Sequence, residues 1–337
     1  SLELMWAQME KLLEEEDYSL IQIHGLSFPA FLRRLFAYFP GPILRYMHEP
    51  RMVCPGHGKY WYERESPCTK PWGLHCFVHT YQEMCAPRHP SKLWHNWKNT
   101  QFEVREASQR YQKIIVGSEY MRREAIDGGI AADKLLVIPP PQVLPKIEDL
   151  PWPETPRLLF IGRLAKTKGV DVMIKALASV LKARPALHLD LVGDGIGRTE
   201  ITTLINKLEL GNQITLHGWK SGEEMLRFYA CASLVIFPSM YPEAFGNVGP
   251  EAMLHKRPVI GFDTGGVSEW LGNGKGGIMV PRGDESALKE ATVYLLDHPE
   301  IARNMGQNGH LYISSRFNVE VVTKTYLSLY HSFSHKA

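Results

Sequence analysis

The chain has 337 residues, a length that divides most readily into two domains. Hydrophobic residues make up 44% and charged residues 22%, and the formal net charge of +2 is too near zero to point to nucleic acid. No apolar run reaches the roughly 18 residues that span a bilayer, and Ser1–Glu16 reads as an amphipathic acidic helix rather than a signal peptide. The expected compartment is therefore the cytoplasm.

Past that first helix, Leu20–His24 reads as a strand, Pro29–Phe39 as a helix and Pro42–His48 as a second strand. Between His48 and Trp97 lies an irregular block rich in Cys, His, Pro, Trp and Tyr; it shows little periodicity and reads as an insertion over about 49–97. Strands resume at Lys113–Ser118 and Leu135–Ile138. Pro139–Pro156 holds seven prolines, which favour extended backbone at and before each ring, and this stretch reads as the linker between domains.

Beyond it, short apolar runs and helical spacings alternate with brief connections. Strands are expected at Arg157–Gly162, Leu187–Gly193, Gln213–His217, Leu234–Pro238, Pro258–Phe262 and Ile278–Val280. Helical patterns lie at Asp171–Ala183, Thr199–Leu208, Glu223–Cys231, Gly249–His255 and Ser286–Leu296, with Ser268–Leu271 a short element between strands and Phe317–His331 a final helix. Such alternation implies a parallel, doubly wound sheet. The expected organisation is a first domain over 1–150, a second over 151–316, and a C-terminal helix at 317–337 that packs back on the first.

Two stretches of the second domain carry chemistry. In Phe160–Gly169 (FIGRLAKTKG) a strand ends in Gly-Arg, and Lys-x-Lys-Gly stands before the next helix. Parallel sheets bind ligands at the carboxyl ends of their strands, and helix N-termini and guanidinium groups both favour phosphate oxygens. Arg163 and Lys168 are thus candidates to grip a diphosphate; in isolation they read equally well as solvated loop residues. In Pro242–Glu251 (PEAFGNVGPE) two carboxylates, Glu243 and Glu251, flank a glycine-bearing loop that enters a helix. Ionised carboxylates accept hydrogen bonds from vicinal hydroxyls, so the pair suits a sugar at one end and a ribose at the other.

FIGRLAKTKG, LVGDG, LHGW, LVIFPS, PEAFGNVGPEAM, TGGVSEWL and GGIMVPRGD follow in order over residues 158–331. In that order the chain resembles the retaining family 4 glycosyltransferases. The resemblance implies an α/β fold of two Rossmann-like domains facing a cleft (GT-B), and transfer of a sugar from a nucleoside-diphosphate sugar to a hydroxyl acceptor with retention and without a metal. It implies that Arg163 and Lys168 neutralise the donor diphosphate and that Glu243 lies close to the donor sugar. Phe245, Gly246 and Asn247 then offer backbone amides to sugar and phosphate, and Glu251 holds the ribose hydroxyls. Gly162 and Gly193 match turns beside the nucleotide, Gly265 and Gly266 a turn near the phosphates, and His217–Trp219 the base site. In the first domain, RYMHE places His48 towards the donor sugar, and IVGSE places Ser118 in the cleft. No cofactor is implied beyond a UDP- or GDP-sugar as donor. The acceptor class covers saccharides, lipid-linked saccharides and small molecules.

Family members usually begin with a strand and a Gly-rich loop before the element seen at Leu20–His24, so the first domain reads as incomplete. The competing functions are a non-catalytic or truncated sugar-nucleotide-binding module, a GT-B epimerase, and a dehydrogenase, against which it counts that no G-x-G-x-x-G follows a first strand. Cys54, Cys68, Cys76 and Cys85 accompany His57, His75, His79 and His89. Without a Cys-x-x-Cys pair they rank as free thiols first, a structural zinc site second and disulfides third. Cys231 is expected as a small core residue. Phe28–Tyr46 joins Phe31, Phe36, Tyr38 and Phe39 to Arg33, Arg34 and Arg45. That composition suits either a solvated helix on the sheet or peripheral contact with the inner face of an anionic membrane.

Overall fold

In the computed structural model of the chain, residues 2–25, 28–56, 58–143, 152–272 and 275–334 are described. His57 and residues 144–151 of the expected linker lie outside them. Helix α1 (Leu2–Glu15) is followed by β1 (Ile21–His24), α2 (Pro29–Tyr38) and β2 (Ile43–Met47). The block expected to lack regular structure instead holds a hairpin, β3 (Tyr60–Trp61) with β4 (Ser66–Pro67), and two helices, α3 (His75–Glu83) and α4 (Pro90–Phe102). Its order comes from ring packing, which has no sequence period: Trp97 lies 5.6 Å from Trp72, 5.8 Å from Phe77 and 5.7 Å from Trp94 between centroids. Helix α4 runs into a π-turn at Glu103–Ala107 and the short α5 (Ser108–Arg110), which sets buried Glu103 beside buried Arg45 at 3.5 Å. Then come β5 (Lys113–Val116), α6 (Glu119–Asp127) and β6 (Leu135–Val137).

The rest of the chain is β7 (Arg157–Ile161), α7 (Val170–Ala183), β8 (His188–Val192), α8 (Arg198–Lys207), β9 (Ile214–Gly218), α9 (Glu223–Cys231), β10 (Leu234–Phe237), α10 (Val248–Leu254), β11 (Val259–Phe262), β12 (Gly277–Val280), α11 (Glu285–Asp297), α12 (Pro299–Arg316) and α13 (Val319–Ser334). By contacts the chain divides into two compact units, one running to Pro139 and resumed from Val322, the other Pro140–Val321. Residues 317–321 thus group with the second unit, whereas α13 from Val322 onward belongs to the first.

In the first unit four parallel strands lie in the order β1-β2-β5-β6. Leu44, Tyr46 and Ile115 on this sheet bury against Val322 of α13, with Tyr326, Leu329, Tyr330 and Phe333 packed around them. In the second unit six parallel strands lie in the order β12-β11-β10-β7-β8-β9. Their near-continuous apolar runs reflect burial on both faces. Leu158, Phe160, Leu234 and Ile236 turn to one core, whereas Leu159, Val235 and Phe237 turn to the other, the period of two that a strand imposes. The winding reverses at β7, whose neighbours are β8 and β10.

That second core also fixes the loop entering α10. The Trp270 indole is fully buried, donates from Nε1 to the Phe245 carbonyl at 2.6 Å, and covers the Cα of Gly249. A Cβ at Gly249 would stand 1.9 Å from the ring. Gly249→Ala is therefore expected to lose about 1–3 kcal/mol of stability, the range for overpacking a filled core. Urea unfolding measures it, and a variant as stable as the parent would contradict this packing.

Candidate functional site

A strand-order reversal opens a crevice at the carboxyl ends of the two central strands, because the connections leave on opposite faces. Gly162 and Arg163 follow directly from β7, and Gly193 and Asp194 from β8. With Val192, Ile161, Trp219, Lys220 and Met225 these residues line a cavity of about 220 Å³. Gly193 has φ +131°, and a Cβ there would meet the Gly162 carbonyl at 2.0 Å. Only glycine lets the two strand ends come so close. Arg163 is exposed and Trp219 is 74% exposed, a large indole held at the cavity wall with its surface open.

Lys168 lies at the end of a 3-10 turn, one residue before Gly169 starts α7. Its Nζ stands 2.5 Å from Glu243 Oε1, and Ser239 Oγ donates to that same oxygen at 2.6 Å. The loop after β10 is pinned to the β7 loop because the Met240 and Tyr241 amides both donate to the Thr167 carbonyl at 3.0 Å. The Gly266 amide donates to the Glu243 carbonyl at 2.7 Å, tying the turn after β11 to the same place. Lys168, Glu243, Gly265 and Gly266 thus gather at the carboxyl ends of β7, β10 and β11.

Glu251 sits in the first turn of α10, where its Oε2 accepts the Tyr229 hydroxyl at 3.0 Å. Burial of the carboxyl pushes its pKa up, against the Tyr229 hydrogen bond, which pulls it down. Tyr229 is itself buried, its hydroxyl pKa raised by burial and by Glu251. His255 stacks on its far face at 4.6 Å, with burial first and Arg257 second holding the imidazole pKa down at about 4. Asn247 is exposed and accepts from Gln142 Nε2 at 3.3 Å. Gly246 has φ +88°.

Several expected site residues do other work. The Phe245 side chain is core, with its ring 5.5 Å from Phe317, so only its backbone is open to a ligand. His217 is engaged with Asp190 at 2.8 Å, and Arg157 forks onto the same carboxylate at 2.8 Å on both oxygens. Ser118, expected in the cleft, is fully buried and caps α6, its Oγ accepting the Met121 amide at 3.1 Å. Tyr229 and Ser239 were missed. Ser239 carried a signal in directly following LVIFP; Tyr229 reads as one more apolar position of a helix.

In the first unit His48 follows β2, its Nε2 2.9 Å from His24 Nδ1. It lines a cavity of about 220 Å³ together with Glu49, Arg51, Asn96, Asn99 and Thr100. The four clustered cysteines are unpaired, and all line one cavity of about 20 Å³. Burial raises the thiol pKa of Cys68, Cys76 and Cys85, the last to about 11. Among the described residues no group of three or more His, Cys, Asp or Glu is set to hold a metal ion. Cys231, expected in the core, is exposed at the end of α9. The basic face expected of α2 is neutralised locally: Arg33 pairs with Glu106 at 2.8 Å and Arg34 with Glu3 at 3.0 Å, each guanidinium resting on a ring, while Phe31 is buried. No helix among the described residues is long and apolar enough to cross a membrane.

Comparison with known proteins agrees with the α/β fold of the two units. Residues 146–311 match the family described as glycosyl transferases group 1. A kanosaminyltransferase of Streptomyces kanamyceticus is 32% identical over 155 residues, 46% of this chain and 40% of that protein. A D-inositol 3-phosphate glycosyltransferase of Streptomyces avermitilis is 27% identical over 225 residues, 62% of this chain and 46% of that one. The chain spans about half the length of the curated relatives it matches. Among solved structures, sucrose-phosphate synthase of Thermosynechococcus elongatus superposes with a TM-score of 0.71 at 21% identity, covering 98% of this chain and 77% of that one. Anabaena HepE, solved with UDP and glucose, superposes with a TM-score of 0.70 at 20% identity, covering 97% of this chain and 80% of that one. The fold is thus the GT-B type, with two Rossmann-like α/β units.

The His255 environment gives a stability test. The unfolded chain protonates this imidazole near pH 6.5 and the folded protein only near 4, so its contribution is intact above pH 6.5 and is lost as pH falls towards 4. The full effect is on the order of 3 kcal/mol. Urea unfolding at pH 7 and pH 4.5 is expected to show a smaller acid loss in His255→Phe, which keeps the stacked ring and cannot titrate; equal losses would contradict it. With a thiol reagent, Cys231 is expected to react first and the four clustered thiols only on unfolding. Simultaneous reaction of all five would contradict their placement.

Proposed function

Because residues 146–311 match the glycosyl transferases group 1 family, we propose that the chain moves a glycosyl group from a nucleoside-diphosphate sugar to a hydroxyl acceptor. The observation that carries the proposal is the crevice at β7, where a cavity bearing Gly162, Arg163, Gly193 and Trp219 adjoins Lys168 and Glu243 at the neighbouring strand ends. UDP is the favoured nucleotide, since HepE was solved with it; GDP is the second. In this reading the base lies on the open Trp219 indole, the ribose hydroxyls donate to Glu251, and the diphosphate takes Arg163 and Lys168.

Departure of the nucleoside diphosphate concentrates negative charge where the bond to the anomeric carbon breaks, and preorganised charge at that point is usually the largest catalytic effect. Arg163, Lys168 and the amides of Phe245, Gly246 and Asn247 supply it. In the ligand-free protein Lys168 is already neutralised by Glu243, so the donor phosphates displace that partner and free the carboxylate for the sugar hydroxyls. Glu243 binds sugar rather than attacking it, the leaving phosphate takes the acceptor proton on the same face, and configuration is retained. The acceptor is a saccharide, a lipid-linked saccharide or a small polyol, bound by the first unit, with His48 as a sugar contact.

UDP is expected to raise the melting temperature, by the mass action that stabilises a native state able to bind. Glu251→Ala is expected to weaken UDP about ten- to a hundredfold, as loss of roughly 1.4–2.8 kcal/mol of hydrogen bonding. Lys168→Ala is expected to cut turnover about a hundredfold, with chelator leaving the parent rate unchanged. NMR of the product is expected to show the donor's anomeric configuration. No shift with UDP or GDP would overturn the donor site; binding without turnover would convert the reading into a non-catalytic sugar-nucleotide module.

A further inference from the structure

His48 ends a chain of side-chain hydrogen bonds that its expected role does not explain. Tyr330, on α13, donates from its hydroxyl to Gln22 Oε1 at 2.9 Å. Gln22 Nε2 lies 2.7 Å from His24 Nε2, and His24 Nδ1 lies 2.9 Å from His48 Nε2. All four residues belong to the first unit. The amide sets the polarity of everything beyond it, because an NH₂ group can only donate and a carbonyl oxygen can only accept. With Oε1 taken by Tyr330, Nε2 faces His24, so His24 Nε2 is the bare nitrogen and its proton sits on Nδ1. That proton is donated to His48 Nε2, which is therefore bare as well, leaving the His48 proton on Nδ1.

The surroundings favour the uncharged form of both rings, which the chain requires, since a doubly protonated ring at either place would set two donors against each other. Burial holds the His24 pKa below the ordinary histidine value, with His48 and Arg45 adding to it. Burial and then Arg45 hold His48 down, opposed by Glu49. Tyr46 stacks on His24 at 5.3 Å with an interplanar angle of 12°, and its ring lies 4.3 Å from that of His48, so neither imidazole turns freely.

We propose that Gln22 and His24 are positioning residues that hold His48 as the neutral Nδ1–H tautomer, so that this ring meets a hydroxylated ligand in the cavity it lines as a hydrogen-bond donor through Nδ1. The tautomer stands on the hydrogen-bond geometry of the four side chains alone; the choice of a sugar oxygen as acceptor rests on the proposed function. The cavity suits such a ligand, with Asn96, Asn99, Thr100 and Glu49 around His48 and a volume of about 220 Å³.

The test is the ring-nitrogen NMR of ligand-free, ¹⁵N-histidine-labelled protein, with His24→Gln and His48→Gln spectra used to assign two of the 14 histidines. In the parent, both rings are expected to show a protonated Nδ1 and a bare Nε2. Gln22→Glu keeps the side-chain shape but turns the donor into an acceptor, and it is expected to reverse the order, with the His24 proton on Nε2 and the His48 proton on Nε2. A protonated His48 Nε2 in the parent, or tautomers unmoved in Gln22→Glu, would overturn the proposal. Turnover is read separately. Gln22→Glu is expected to lower kcat about tenfold, as for one lost hydrogen bond in the transition state, with UDP affinity unchanged. If the tautomers reverse as expected but kcat does not change, the sugar contact assigned to His48 fails while the positioning chain stands.

Discussion

Strand β7 has β8 on one side and β10 on the other, and most of the candidate donor site follows from that reversal. Chains leaving β7 and β10 cross to opposite faces, α7 into one core and α10 into the other, which keeps side chains out of the space above those two strand ends. Gly193 closes the backbones further, its Cα facing the Gly162 carbonyl where any side chain would collide. The loop after β10 is then tied across by the Met240 and Tyr241 amides on the Thr167 carbonyl. Lys168 and Glu243, 75 positions apart in the chain, meet because these two loops are stitched together.

The charges in this crevice are poised rather than satisfied once and for all. Glu243 Oε1 holds both Lys168 and Ser239, so in the ligand-free protein the Lys168 ammonium is paired with a carboxylate that also takes a hydroxyl. An anion of higher charge density than a carboxylate, such as a diphosphate, competes for Lys168, and the freed carboxylate then finds hydroxyl donors. Glu251 is arranged differently. Its partner Tyr229 is a neutral donor held from behind by the stacked His255, which orients the carboxylate without neutralising it. The contrast fits one carboxylate that changes partner on binding and one that keeps its place.

The rhythm of the second unit was readable because parallel strands buried on both faces are continuous apolar runs, and glycines mark their carboxyl ends. Arg157–Ile161, His188–Val192 and Leu234–Phe237 fall within a residue of the expected strands. Helix α12, with 18 residues, escaped notice because Asn304, Gly306, Gln307, Asn308 and Gly309 interrupt any apolar stripe. Helices α3 and α4 escaped for another reason: their order comes from contacts among Trp72, Phe77, Trp94 and Trp97, which composition reveals and periodicity does not. Arg163, Lys168, Glu243 and Glu251 could be singled out from their place after strands and before helices. Of their partners, Ser239 left only its place directly after LVIFP and Tyr229 left nothing, since a hydroxyl that orients a carboxylate makes no pattern of its own in the chain. Ser118 shows the converse, a serine at a strand end whose oxygen is spent on capping α6.

The central claim is that a nucleotide docks in the cavity at the carboxyl ends of β7 and β8. The indole N–H signals of the eight tryptophans report on it directly, because Trp219 lines that cavity and Trp61, Trp72, Trp94 and Trp97 belong to the other unit. A titration with UDP, followed by ¹⁵N–¹H correlation spectra assigned with Trp219→Phe, is expected to move the Trp219 signal saturably and leave those four in place. Saturable binding that leaves the Trp219 signal unmoved would contradict the account.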